Sequence, residues 1–324
     1  MRALRQHQLT GPSGLQIDEL PTPTPGAGEL LVDVRAAAIN FPDVLLSQGK
    51  YQFRPPLPFI PGGELAGSVR AIGPGVTDFA VGDRVAAWMI HGAFAEQVVV
   101  QQVGAVKLPE SVSFEVGAAT LVTYATTLHA LVDRAALKPG ETLLVLGAAG
   151  GVGLAAIQLG KLLGARVLAA ASTDEKIAAC KQHGADEGIV YTRDDLKARI
   201  KDLTGGQGVD VVYDPVGGPY SEPALRSIAW QGRYLVIGFA AGEIPKIPLN
   251  LTLLKGCQIV GVFWGSFAMR DPAANRAHAQ RLFDWIAQGR LAPHIDVVLP
   301  FDRAGEGLER LASRQVTGKV VLRP

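Results

Sequence analysis

Three observations predict an α/β fold built in two parts. The first third of the chain is rich in strand-like alternation and turn residues. From about Ser111 onward, apolar residues recur at helical spacing, and strand patterns then alternate with helix patterns. The first of these strands runs into its helix through the glycine-rich segment GAAGGVG. Strands alternating with helices build βαβ units around a parallel sheet. A length of 324 residues accommodates about two domains of ~150 residues each.

The first part reads as an antiparallel β domain. Its strands are LLVDVRAAAI (30–39), ELAGSVRAIG (64–73), GDRVAAW (82–88) and FAEQVVV (94–100), separated by Gly and Pro punctuation such as PPLPFIPGG and GPGV. SVSFEVGAATLVTYATTLHALVDRAAL then predicts a helical stretch with Ser113 as its N-cap, and KPGE (138–141) a turn. TLLVLG and RVLAAAS are expected as strands, each followed by a helix, GVGLAAIQLGKLLG and TDEKIAACKQHG. The second carries Asp174 and Glu175 in its first turn and Gly184 at its end. GIVY, VDVVYDPVGG, GRYLVIGFA and QIVGVFWG continue the strand pattern. ANRAHAQRLFDWIAQGRL returns to helix, and KVVLRP closes the chain as a short strand.

Composition removes several classes. Hydrophobic residues make up 48% and charged residues 19%, which suits a packed globular core. Thirty-one basic residues face thirty acidic ones with no basic stripe, so no nucleic-acid partner is expected. Cys180 and Cys257 lie far apart in no metal-like spacing, which fits a reducing, cytoplasmic setting rather than a disulfide framework. The N-terminal MRALRQHQLTGPSG lacks the apolar run of a secretory signal. The uncharged stretch from Thr142 to Gly160 has the length of a membrane span. Glycines at 147, 150, 151, 153 and 160 interrupt it, and a turn exposed to lipid is not tolerated, so no membrane span is expected.

GAAGGVG, between a strand and a helix, has the context of a dinucleotide-binding loop. Glycine permits the tight turn and lets backbone N–H groups approach a pyrophosphate at the positive end of the helix. An acid at the tip of the second strand would read the ribose 2′-hydroxyl of NAD. Here the strand ends Ala169-Ala170-Ala171-Ser172, and the cations Lys176 and Arg193 follow. A hydroxyl and two cations suit a 2′-phosphate, so NADP(H) is the expected cofactor, with Asp174 as the contrary feature.

These residues resemble the medium-chain dehydrogenase/reductase superfamily, and within it the zinc-free, ζ-crystallin-like NADPH:quinone oxidoreductases. The resemblance runs the whole length through AAINFPDVLLSQGKY (37–51), PGGELAGSV (61–69), GDRV, LKPGETLLVLGAAGGVG, DPVGG (214–218), IGFA and TGKVVL. It implies a GroES-like β domain over 1–121 and 265–324, a Rossmann domain over 122–264, a cleft between them, and a homodimer paired edge to edge, with QIVGVFWG as the edge strand. Zinc-dependent relatives carry Cys at the position of Asn40 and a His-Glu pair where this chain has Gly63-Glu64. Asn and Gly do not complete a zinc ligand set, so no metal is expected.

The resemblance also implies site residues. Asn40, Asp43 and Tyr51 match a loop that touches nicotinamide and substrate; Leu45 stands where relatives often carry a second Tyr. Thr126 matches a residue near the nicotinamide. Ala149, Gly150, Gly151 and Val152 match the phosphate loop, and Ser172, Lys176 and Tyr191 the 2′-phosphate pocket. Ile237, Gly238, Phe239 and Ala240, with Val262, Phe263 and Trp264, match the two stretches bordering the nicotinamide. Arg314 and Lys319 are placed to reach the pyrophosphate. Trp264 is expected either to wall a planar substrate or to pack in the core. Asp43 and Tyr51 are the candidate acids.

Without a Lewis acid, hydride transfer suits acceptors that take it readily. NADPH-dependent reduction of quinones is the leading expectation. Reduction of an activated C=C bond in an enone, alkenal or short enoyl-CoA such as acryloyl-CoA is the alternative, with Arg54 and Arg270 available for a CoA phosphate. A crystallin-like, NADPH-binding structural protein is the reading from another class.

Overall fold

The chain opens with two short antiparallel strands, β1 (Arg2–Gln6) and β2 (Leu15–Glu19), which the sequence pattern, polar on both faces, does not announce. β3 (Glu29–Ile39) leads through Asn40 into α1 (Phe41–Ser47). β4 (Glu64–Ile72), β5 (Arg84–Trp88), β6 (Gln97–Gln101), β7 (Ala105–Lys107) and α2 (Phe114–Ala118) follow. The computed structural model describes residues 1–324 and divides into two units, Met1–Ala125 with Phe267–Pro324, and Thr126–Ser266.

The long helix expected after Ser113 is broken. Ser113 does cap α2, its hydroxyl accepting from the Val116 amide. Beyond α2 the turns widen to π geometry over 121–125 and 129–134, on either side of a single α turn, α3 (Thr126–Leu128). Two causes are visible. Thr120 and Thr123 return their hydroxyls to the carbonyls of Val116 and Ala119, which bends a helix. In addition, the Val122 amide donates to the Glu64 carboxylate at 2.8 Å instead of continuing the helical ladder.

The second unit is a six-stranded, all-parallel sheet. Its strands are β8 (Thr142–Leu146), β9 (Arg166–Ala171), β10 (Glu187–Val190), β11 (Val209–Asp214), β12 (Ile228–Val236) and β13 (Gln258–Gly261). Helices α4 (Gly151–Leu162), α5 (Asp174–Gln182), α6 (Leu196–Leu203), α7 (Ser221–Arg226) and α8 (Asn250–Lys255) accompany it. The order β10-β9-β8-β11-β12-β13 is the doubly wound arrangement whose crevice opens at the carboxyl ends of β8 and β11. Leu143, Leu144, Val145 and Leu146 are all inaccessible to solvent, because a parallel sheet is covered on both faces. Each such side chain stabilises the fold by about 1.5–3 kcal/mol. The missing charge of 142–160 is thus the signature of a core βαβ unit, and no helix is long and apolar enough to cross a membrane.

β13 stops at Gly261, earlier than QIVGVFWG suggests. Trp264 opens a helix, α9 (Trp264–Arg270), and α10 (Pro272–Ala287) follows behind its cap Asp271. The chain ends with β14 (Ile295–Pro300), α11 (Ala304–Ala312) and β15 (Lys319–Arg323). β15 rejoins the sheet of the first unit antiparallel to β3, pairing Val320 with Ile39. β4 flanks the other side of β3, with Ala38 opposite Glu64. This register brings residues 40, 64 and 319 to one corner of the sheet.

Candidate functional site

The corner of the first unit holds a buried polar cluster. Lys319 is 4% exposed and Glu64 is fully buried. The Lys319 ammonium donates to Glu64 Oε1 at 2.7 Å and to Asn40 Oδ1. Asn40 Nδ2 donates to Glu64 Oε1 at 2.9 Å and to the Ala38 carbonyl at 3.3 Å. Glu64 Oε2 accepts from the Val122 amide. Every charge in the cluster therefore has a partner, as buried charges require.

Asp43, only 1% exposed, lies one turn into α1. Its carboxylate accepts from the Asn40 amide at 2.7 Å and the Gly62 amide at 3.2 Å. Burial pushes its carboxyl up to about 7, against the opposing pull of those amides and of the Lys319 charge. Tyr51 is half-buried, and its phenol is held above the usual range by burial and by Asp43. It is thus a neutral O–H donor at physiological pH.

The second unit carries the glycine loop. Gly147 ends β8 at φ +57°, a left-handed conformation that favours glycine, and a side chain there would meet Val216 at 2.7 Å. A Cβ on Gly153 would stand 2.5 Å from the Gly147 carbonyl oxygen, so only glycine lets the helix start so close to the turn. Gly150 precedes α4 without a side-chain cap, and the first helical hydrogen bond is Leu154 N–H to the Gly150 carbonyl. The amides of Gly151, Val152 and Gly153 are consequently left without helical partners at the positive end of a 12-residue helix. Ala149 is buried beneath the turn; Gly150, Gly151 and Val152 are half-buried.

Ser172 and Thr173 follow β9. Thr173 caps α5, accepting from the Lys176 amide at 3.3 Å, and the Thr192 hydroxyl donates to the Ser172 carbonyl at 2.7 Å. Ser172, Lys176 and Tyr191 are half-buried around the strand tips, and the Tyr191 ring lies 4.2 Å from that of Tyr220. Arg193 donates to both oxygens of Asp174, at 2.8 and 3.4 Å, and to Asp194 at 3.0 Å.

Ile237, Gly238, Phe239 and Ala240 leave β12 as a loop rather than extending it. The loop is laced to DPVGG: Ile237 and Gly238 donate to the Asp214 carbonyl, and Ala240 to that of Pro215. Asp214 itself is buried and accepts from the amides of Val216 (2.7 Å) and Gly217 (2.8 Å), the Ser221 hydroxyl (2.8 Å) and the Tyr234 phenol. Thr126 is half-buried; its neighbour Thr127 bonds the Tyr213 phenol at 2.8 Å.

One expectation needs correction. Lys319 is no surface cation reaching for a pyrophosphate: its ammonium is interior and committed to Glu64 and Asn40. Of the two places expected for Trp264, the packed one is found: it is buried at 5% exposure, whereas Phe263 is 60% exposed, so the open aromatic surface belongs to Phe263; Val262 is also buried. Arg314 is exposed, in a left-handed turn after α11 at φ +60°. Sequence reasoning missed the roles of Lys319 and Asp214. The available signal was a charge embedded in an apolar strand, which has to be paired when the strand is buried.

Comparison with known proteins matches both units. Residues 26–110 fit the alcohol dehydrogenase GroES-like domain and residues 151–284 the zinc-binding dehydrogenase family. A quinone oxidoreductase-like protein 2 homolog of Nematostella vectensis is 38% identical, covering 99% of this chain and 88% of that protein. A mycobacterial protein solved in complex with NADPH superposes with a TM-score of 0.93 at 34% identity, and Escherichia coli quinone oxidoreductase complexed with NADPH with 0.92 at 32%. All of this chain and of each of those two is covered.

Proposed function

Because the chain belongs to the quinone oxidoreductase family of medium-chain dehydrogenases/reductases, we propose that it reduces quinones with NADPH and without a metal ion. The carrying observation is the uncapped start of α4: three backbone amides at the positive helix end, closed in by glycines that admit no side chain, fit a pyrophosphate. Gly150, Gly151 and Val152 would hold it. Ser172, Lys176 and Tyr191 would hold the 2′-phosphate and adenine, with Arg193 beside them paired to Asp174, and the segments 237–240 and 262–264 with Thr126 the nicotinamide half. When bound, the nicotinamide supplies the hydride.

The metal-free reading rests on the donor set. Of the positions where zinc-dependent relatives place ligands, Asn40 and Glu64 are both bonded to the Lys319 ammonium, which already neutralises the carboxylate. No three His, Cys, Asp or Glu side chains converge elsewhere. Tyr51 is the group we assign to hydrogen-bond the acceptor oxygen. Leu45, an aliphatic side chain on α1, favours a second reading in which the acceptor is an activated C=C bond.

A homodimer is part of the proposal. β13 is the open edge of the parallel sheet, and the surface beside it exposes Trp230, Ile259, Phe263 and the α8 residues Leu253 (80%) and Leu254. Trp230 lies over Gly256 at the end of α8, and exposed apolar side chains beside an open sheet edge are what an interface would cover. The two cysteines, buried and unpaired, fit a reducing cytoplasm.

The experiment follows absorbance at 340 nm with NADPH or NADH against quinones, enones and acryloyl-CoA. Turnover with quinones and NADPH is expected. Tight NADPH binding without oxidation by any acceptor would leave a crystallin-like role and overturn the enzyme reading.

A further inference from the structure

In a doubly wound fold the ribose of the adenosine half is read at the tip of the second strand. In this chain the tip is Ser172, and the first acid beyond it is Asp174 at the start of α5. That carboxylate is exposed, yet it does not stand alone. β9 and β10 run side by side to the tip, with Ala171 paired to Val190. Tyr191 donates its amide to the Ala171 carbonyl at 3.1 Å, and Thr192 its hydroxyl to the Ser172 carbonyl. These bonds fix the exits of the two strands together and place Arg193 over Asp174. The guanidinium engages both Asp174 oxygens and, through Nε, Asp194 at 3.0 Å. Asp194 is anchored in turn, accepting from the Val190 amide at 3.1 Å. Arg193 is therefore held from behind and presented to Asp174 in a forked geometry, the arrangement in which arginine binds carboxylates most specifically.

We propose that the Arg193–Asp174 pair selects the cofactor: by occupying both oxygens of Asp174, Arg193 withdraws the acid that would otherwise read a 2′-hydroxyl and repel a 2′-phosphate. The proposal rests on the NADPH reading above and adds a determinant to it. The unpaired acid would favour NADH twice over, by accepting from the ribose hydroxyls and by opposing a group of about two negative charges. Paired, it does neither.

The test is direct binding. Dissociation constants for NADPH and NADH are measured by titration calorimetry on the wild type, Arg193→Ala, Asp174→Asn and the double variant, at low and high salt. All are surface changes, and thermal melts check that each variant folds. Arg193→Ala is expected to weaken NADPH binding about tenfold and leave NADH within about twofold, with the loss shrinking at high salt. Adding Asp174→Asn should restore most of the lost NADPH affinity, since the arginine is then no longer needed to mask the acid. A double variant that binds NADPH no better than Arg193→Ala overturns the proposal, as does an equal loss for both cofactors. If the wild type prefers NADPH but Arg193→Ala keeps that preference, this proposal alone is wrong. If the wild type shows no preference for NADPH, it falls together with the NADPH reading.

Discussion

Replacing Lys319 by Met removes the only cation from the Asn40–Glu64–Asp43 corner while keeping an unbranched side chain of similar length. Glu64 keeps two donors, Val122 N–H at 2.8 Å and Asn40 Nδ2 at 2.9 Å, but its charge loses the ammonium 2.7 Å away. Breaking a buried pair in this way costs roughly 3–5 kcal/mol. That cost arises from a buried carboxylate left without its cation, and at ~3–5 kcal/mol it should lower the melting temperature of the first unit by roughly 6–20 °C. The double variant Lys319→Met, Glu64→Gln should recover much of the loss, because it removes both charges. Thermal and urea unfolding of the wild type and both variants measure it. A single variant as stable as the wild type, or a double variant no more stable than the single, would refute a buried ion pair as the cause.

Four further outcomes are expected. Asp43 keeps its proton up to about pH 7 in the fold, whereas a free carboxyl loses it near 3.9. The folded state binds the extra proton between those values, so Asp43's contribution is full below about pH 4 and is lost as pH rises toward 7, by at most about 4 kcal/mol. The stability difference between wild type and Asp43→Asn should decline over that window; a flat difference in urea unfolding counts against a buried, protonated Asp43. Lys176→Ala should weaken NADPH binding roughly tenfold or more and NADH binding far less, and equal losses in calorimetry would remove Lys176 from the 2′-phosphate pocket. Tyr51→Phe should lower turnover with quinones roughly tenfold or more without changing the Kd for NADPH; unchanged turnover would discharge it as a hydrogen-bond donor. Leu253→Glu, in the exposed patch beside β13, should shift the protein toward monomer in sedimentation, and an unaltered mass would place the dimer contact elsewhere.

What the sequence conveyed depended on how local its cause was. TLLVLG and RVLAAAS became β8 and β9 because a strand buried on both faces needs an unbroken apolar run, which is visible within six residues. GAAGGVG was legible for the same reason: its glycines answer contacts inside the loop, Gly153 against Gly147 and Ala148. The interruption of the helix after α2 was not legible, because the group that takes the Val122 amide is Glu64, 58 positions earlier. Trp264 was read as the end of a strand because an apolar run bounded by glycines fits a buried strand and the first turn of a helix equally. Lys319 failed most instructively. Strand alternation in KVVL placed it at a strand end, and a cation at a strand end is normally solvated. Only the antiparallel register of β15 against β3, which sets it beside Asn40, turns it inward.

That inward turn changes what Asn40 is able to do. Its two amide hydrogens are spent on Glu64 and on the Ala38 carbonyl, and its carbonyl oxygen receives Lys319. Nothing on the side chain is left to donate to an acceptor oxygen, so Asn40 is a joint that holds Lys319 and Glu64 together rather than an acid. In the proposed reaction the donor duty would fall to groups of the first unit that still carry a proton. Tyr51 does so throughout the physiological range because burial holds its phenol neutral, and Asp43 does so only below about pH 7. The metal-free reduction proposed for this chain would need a positive or hydrogen-bonding group where charge develops, and without the cost of an unpaired buried charge. Glu64 meets that second need for Lys319: the carboxylate lets an ammonium persist in the interior, and the ammonium lets the carboxylate persist in turn.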